Sequence, residues 1–289
     1  MSATPIVMAG SAPAPRRVDP VALLALPGTV YLVVAFAVPL ALLLVTSVVS
    51  DGRFTLAGYG RFLADPFSWT VIGNTLRAAL LTTLVCLVAG YPAAFALARA
   101  PGILQAILMA ALILPLSVGV VVKAFAWTIL LRGDGVVNRL LLGLGILDAP
   151  ARLIFTETGL VLGAVNIFLP FMVLPIFAVV KLIDPRLLDA AATLGASPLH
   201  RFVRVTVPLT MPGVIAGVAF VFSMSVSMYV IPTLLMGDRF KTLSVLVARS
   251  FLFMRDRSLG STVSVVLLAI AVAVVVASAL LARRWQPGR

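Results

Sequence analysis

Charge is scarce in this chain. Of 289 residues only 11% are charged, ten are acidic, one is histidine and one is cysteine. Cys86 has no second thiol to pair with inside the chain, and it lies in an apolar run. A lone His200 and so few carboxylates remove the usual makings of a metal centre or of His-assisted nucleophilic catalysis. The string G-x-x-x-x-G-K-[ST] does not occur, so the chain carries no phosphate loop of its own for ATP. No internal repeat is visible, and no apolar segment holds a carboxylate in its interior. That counts against a proton-driven carrier, which needs a titrating group near mid-membrane.

What the chain has in quantity is hydrocarbon, with 62% hydrophobic residues and a mean hydropathy of +1.16. A bilayer core about 30 Å thick takes roughly 20 apolar residues per helix. Six stretches reach that length, approximately 21–48, 70–97, 103–131, 158–180, 211–235 and 261–282. Runs so long suit helices rather than barrel strands. The expected fold is therefore an all-α polytopic membrane protein, with one transmembrane domain over 21–282. Residues 1–20, small and Pro-rich, read as a disordered tail, and 283–289 as a short C-terminal tail. The apolar run after Arg16-Arg17 outlasts the apolar core of a cleaved signal peptide, so a retained first helix is expected. A net charge of +12 is spread over loops on both faces, which favours charged lipid and protein surfaces over nucleic acid as partners.

One charged interruption, Asp184 to Gly213, organises the rest. Asp184-Pro185 is a helix start, because the carboxylate can accept orphan amide hydrogens and proline at the first position loses no bond. A helix over Arg186 to Leu194 should follow, closed by Gly195 in a left-handed conformation. Ser197-Pro198 repeats the opening signal, giving helix, tight turn, helix. On the first of these Leu187, Ala190, Ala191 and Leu194 share a face slim enough to enter a groove.

This stretch resembles the "EAA" loop of permease subunits of bacterial binding-protein-dependent ABC importers: Glu-Ala-Ala, three residues, Gly, nine residues, then Ile-x-Leu-Pro. Here Asp189-Ala190-Ala191, Gly195 and Val205-Thr206-Val207-Pro208 fill that pattern, with Asp in place of Glu and Val in place of the larger aliphatics. The resemblance implies a type I ABC importer fold: six transmembrane helices, with a cytoplasmic coupling loop over 184–208 between helices 4 and 5. It implies that Asp189, Ala190, Ala191, Leu194, Gly195, Arg201, Arg204 and Pro208 meet a cytoplasmic ATPase subunit, which binds the ATP. The plainer reading is a cytoplasmic hairpin with no partner. A second permease chain, an extracytoplasmic binding protein, a place in the bacterial inner membrane and cytoplasmic termini are further implications. The run from Leu153 to Ser197, with VTVPLTMPGVIAG and YVIPTLLMG, looks most like the putrescine/spermidine branch, whose relatives also carry iron, opines, thiamine or phosphonates.

Charge bias alone leaves orientation open, since ten basic residues fall on each side, with Arg77 and Lys123 inside segments. The expected substrate path draws on Lys123, Trp127, Asn166, Phe168, Ser225 and Tyr229. Each has a plain alternative: Lys123 can snorkel to an interface, the aromatic rings can be packing, and the polar groups can bond neighbouring carbonyls. Gly159-x-x-x-Gly163 and Gly213-x-x-x-Gly217 mark close helix approaches or incidental glycine. A tight hairpin is expected at 98–102, a surface helix within 132–159, and a re-entrant or interfacial element over Leu243 to Met254. The rival functions are an ion-coupled secondary carrier and a membrane scaffold for an ATPase.

Overall fold

A computed structural model describes residues 20–50, 53–237 and 240–284. The expected tails at 1–19 and 285–289 lie outside the described residues, whereas Pro20, Arg283 and Arg284 belong to helices. Residues up to Val45 form one unit and Thr46 onward a second. The first unit is nearly all of α1 (Pro20–Val48), an apolar helix containing Pro27 and Pro39.

The second unit opens with a two-stranded ribbon, β1 (Val49–Ser50) paired antiparallel with β2 (Arg53–Phe54). A short helix, α2 (Ala57–Ala64), follows. Asp65 then accepts from the Phe67 amide at 3.0 Å and starts α3 (Pro66–Arg99), 34 residues long. Only Ala100 and Pro101 separate it from α4 (Gly102–Ile113), so the expected hairpin is present.

The third apolar segment, expected over 103–131 as one span, is broken. After α4 come a 3-10 turn at Leu114–Ser117 and then α5 (Val120–Leu130), and the two halves are bent by 101°. Pro115 removes an amide and Gly119 stands extended at ψ 144, so the ladder of backbone bonds cannot pass through. Among the described residues five helices are long and apolar enough to span a membrane, and six if this bent pair is one span.

The next loop folds α6 (Val136–Gly143) before Thr156 caps α7 (Glu157–Lys181). Next are α8 (Pro185–Thr193), α9 (Pro198–Arg201), a π turn at Phe202–Thr206 and α10 (Val207–Ser227). The chain ends with α11 (Val230–Leu235), α12 (Leu243–Leu252) and α13 (Arg257–Arg284). The expected fifth segment over 211–235 is corrected at both ends. Pro198–Ser227 is one continuous 30-residue helix, and it stops at Met228, short of α11. The α12 helix, ten residues long, matches the expected short element.

The core runs along α3, α7, α10 and α11, around Leu160, Met172, Ile176, Val221 and Ile231. A satellite cluster of Phe62, Val71, Leu243, Leu246 and Val263 joins α2, α3, α12 and α13. Close approach of α7 and α10 needs both glycines of the α10 pair. A Cβ on Gly213 would stand 2.8 Å from the Pro175 carbonyl oxygen, and one on Gly217 would stand 2.8 Å from Met172 Sδ.

Candidate functional site

The stretch from Asp184 to Pro208 folds as its local chemistry demands. The Asp184 carboxylate accepts from the Arg186 amide at 2.9 Å and opens α8. At the other end Gly195 adopts φ +79, while the Ala196 and Gly195 amides donate to the Ala191 and Ala192 carbonyls at 3.1 and 2.9 Å. This double closure is the Schellman arrangement. The Ser197 hydroxyl then accepts from the His200 amide at 3.3 Å and opens α9.

The second helix does not end before the membrane segment, as the expectation of a separate hairpin had it. It runs through the π turn into α10, with the Val207 amide reaching back to the Phe202 carbonyl. Pro208 supplies the reason: it has no amide to give the Arg204 carbonyl, and its ring collides with that oxygen in a regular helix.

Of the expected docking residues, Asp189, Ala190, Ala191, Leu194, Gly195 and Arg204 lie on α8, its closing turn and the helix that follows, whereas Arg201 and Pro208 do not share their exposed face. No residue of α8 is buried, and Leu187, Leu194 and Leu199 are 48%, 88% and 72% exposed. Asp189 and Ala190 are exposed and Ala191 half-buried. A shallow hollow between the two helices is lined by Ala191, Leu194, Gly195, Ser197, His200 and Arg204. Arg201 turns the other way, with its Nε buried and without a hydrogen-bond partner among the described residues. Pro208 is half-buried within the first turn of α10.

The expected path residues are less united. Phe168 is 5% exposed within the core, and Trp127 packs against that core beside Gly163. Ser225 is 1% exposed, and its hydroxyl has no partner among the described residues. Asn166 and Tyr229 face outward from the chain, and Lys123 is half-buried on α5.

Sequence reasoning missed two polar contacts. Arg77 on α3 meets Glu157 at the start of α7 at 2.8 Å. The Tyr91 hydroxyl shares a hydrogen bond of 2.9 Å with Thr210, tying α3 to α10, and its ring stands edge-on to Phe202. Tyr91 lies within an apolar run and was hidden there; its partner is 119 residues away.

A broken helical bundle with a capped helix–turn–helix at one end is the fold of type I ABC importer permeases. Solved structures bear this out at the level of fold. A bacterial ABC transporter involved in the import of the acidic polysaccharide alginate superposes with a TM-score of 0.76 at 15% identity, covering 92% of this chain and 96% of that one. The MetNI methionine ABC transporter in an inward-facing form gives 0.58 at 17% identity, covering 77% and 99%. Residues 86–287 match the family described as the binding-protein-dependent transport system inner membrane component, and the chain belongs to that family. It is 38% identical over 214 residues to the spermidine/putrescine transport system permease protein PotB of Escherichia coli (strain K12), covering 74% of this chain and 78% of the relative. The chain is thus a permease subunit of a binding-protein-dependent ABC importer.

Proposed function

We propose that this permease carries a polyamine of the spermidine/putrescine class, and that residues 184–208 couple it to a cytoplasmic ATPase. The coupling reading is carried by the projecting α8, whose apolar side chains Leu187 and Leu194 stand open at the end of the bundle. An apolar helix face left uncovered at a helix–turn–helix fits a groove in a partner. Asp189, Ala190, Ala191, Leu194, Gly195 and Arg204 meet that partner, while Arg201 and Pro208 hold the element against the bundle.

ATP is bound and hydrolysed on the partner, and this chain contributes no cofactor site. A second, different permease completes the pathway, and an extracytoplasmic binding protein delivers the solute. The loop then lies in the cytoplasm, and so do both termini. Movement of the coupling loops switches the bundle between inward- and outward-open forms, with each ligand favouring the form it binds better. The polyamine assignment draws its support from the likeness to PotB. Tyr229 and Asn166 are exposed on this chain, and their exposure supports a contact with the solute. Lys123, half-buried on α5, would snorkel to an interface, away from a polycation.

The test is co-purification. The tagged chain, drawn from its native membranes in mild detergent, should bring down an ATPase and a second permease. Ala191→Arg puts a long cation on the docking face and should lose the ATPase while keeping the second permease. Retention of the ATPase by that variant, with normal substrate-stimulated ATP hydrolysis, would remove the docking role from this face. Transport of radiolabelled spermidine by the intact complex tests the substrate.

A further inference from the structure

Behind α8, on the side turned from the docking face, lie two adjoining cavities. The first, about 350 Å³, is bounded by Phe95, Arg99, Val180, Lys181, Ile183 and Leu188. The second, about 260 Å³, shares Arg99, Leu188 and Thr206 with it and adds Arg201. Three cations therefore border a mostly apolar cleft where α3 and α7 end.

None of the three has an acidic partner among the described residues. Arg99 lies over the Phe95 ring at 5.5 Å, Lys181 Nζ donates to Gln105 Oε1 at 3.3 Å, and Arg201 Nε is buried and unpaired. Among the described residues the ion pairs are Arg77–Glu157 and Arg132–Asp134, both elsewhere. The acid that follows most closely, Asp184, is engaged in capping α8. The cleft thus suits an anion. Lining by Phe95, Val180, Ile183 and Leu188 disfavours a fully hydrated one and favours a phosphate attached to hydrocarbon. Ile103 and Ile107 are exposed on α4, the helix whose Gln105 meets Lys181.

We propose that this cleft binds the phosphodiester headgroup of an acidic phospholipid, wedged between α8 and the ends of α3 and α7. Basic recesses between membrane helices at the cytoplasmic boundary have the chemistry for such headgroups. The inference rests on the reading of 184–208 as a cytoplasmic loop. Its consequence is that the lipid braces α8, so coupling becomes sensitive to lipid charge.

The experiment is native mass spectrometry of the detergent-purified complex after incubation with phosphatidylglycerol or phosphatidylcholine. The intact complex should retain phosphatidylglycerol in preference. Arg99→Gln and Lys181→Gln should each weaken retention about fivefold, as expected per cation near a charged headgroup. Arg139→Gln, in the α6 loop, controls for loss of charge alone and should change nothing. Leu188→Trp fills the cleft with the cations kept, and should also weaken retention. Co-purified ATPase in each variant shows that fold and docking survive. Equal retention of both lipids, indifference to Arg99→Gln, Lys181→Gln and Leu188→Trp, or displacement of the lipid by inorganic phosphate would each overturn the proposal. Because the ATPase is scored in the same sample, such a failure is distinct from a failure of docking.

Discussion

Asn138 is fully buried, and its carboxamide is used on both sides. Nδ2 donates to the Arg132 and Ala151 carbonyls at 2.9 and 3.0 Å, and Oδ1 accepts from the Ala151 amide at 2.9 Å. It closes the 132–151 loop on itself. Asn138→Ala would leave those backbone groups unpaired in a dry place and should destabilise the chain by on the order of 2 kcal/mol. Cys86, the sole cysteine and fully buried, provides the readout, since a thiol-reactive dye labels it only on unfolding. An unchanged labelling midpoint would mean the clamp carries no weight. Nothing in the sequence marks Asn138, because its partners are backbone groups six and thirteen residues away. Gly195 is the opposite case. Its place after an apolar helical face announces a left-handed residue, and φ is +79. Gly195→Val should cost ~1–2 kcal/mol at the end of α8. Substrate-stimulated ATP hydrolysis should fall with it, while the Cys86 labelling midpoint stays nearly fixed.

Among the elements, α8 was legible nearly to the residue, because capping is chemistry between neighbours: Asp184, Pro185, Gly195 and Ser197 carry it. The fifth span was not. Hydropathy registers which residues suit lipid, not where a helix begins, so the polar start at Pro198 was assigned to the loop alone. Its end is set from a distance. The Ser244 hydroxyl donates to the Met228 carbonyl, and Met228 turns extended at ψ 131 without a glycine or proline beside the break. Pro208→Ala should let the new amide bond the Arg204 carbonyl, turning the π segment into regular helix. Dropping the extra residue of that turn rotates α8 and α9 by about 100° relative to α10. The expected result is loss of co-purified ATPase with the chain still folded; full retention would show that the π turn is not needed for alignment. Gly217→Leu tests the α7–α10 crossing. With Met172 Sδ 2.8 Å and its carbonyl oxygen 3.1 Å from the new Cβ, overpacking of ~1–3 kcal/mol should lower the labelling midpoint.

For the molecule as a whole, bilayer thickness made the spans readable, whereas balanced basic residues hid their direction. The broken third segment stayed hidden too, because Pro115 and Gly119 are each tolerated in straight membrane helices, and only packing decides between a kink and a turn of 101°. Stability here rests on packing. Among the described residues two ion pairs occur, one of them between side chains 65% and 80% exposed, a setting that contributes little. The labelling midpoint of the second unit should therefore barely move between low and high salt. A steep fall on adding salt would show that charge holds the fold.

The continuous Pro198–Ser227 helix has a mechanical consequence. Thirty residues at 1.5 Å each make a lever of about 45 Å, longer than the hydrocarbon layer is thick. On the proposed coupling, a stroke delivered at its foot would travel the whole depth of the membrane without crossing a loop and arrive beside Tyr229, just beyond the tip. The π turn at Phe202–Thr206 and Pro212 inside α10 are the soft points along that arm, so on the proposed coupling their stiffness would set how much of each stroke is lost before it reaches the far side.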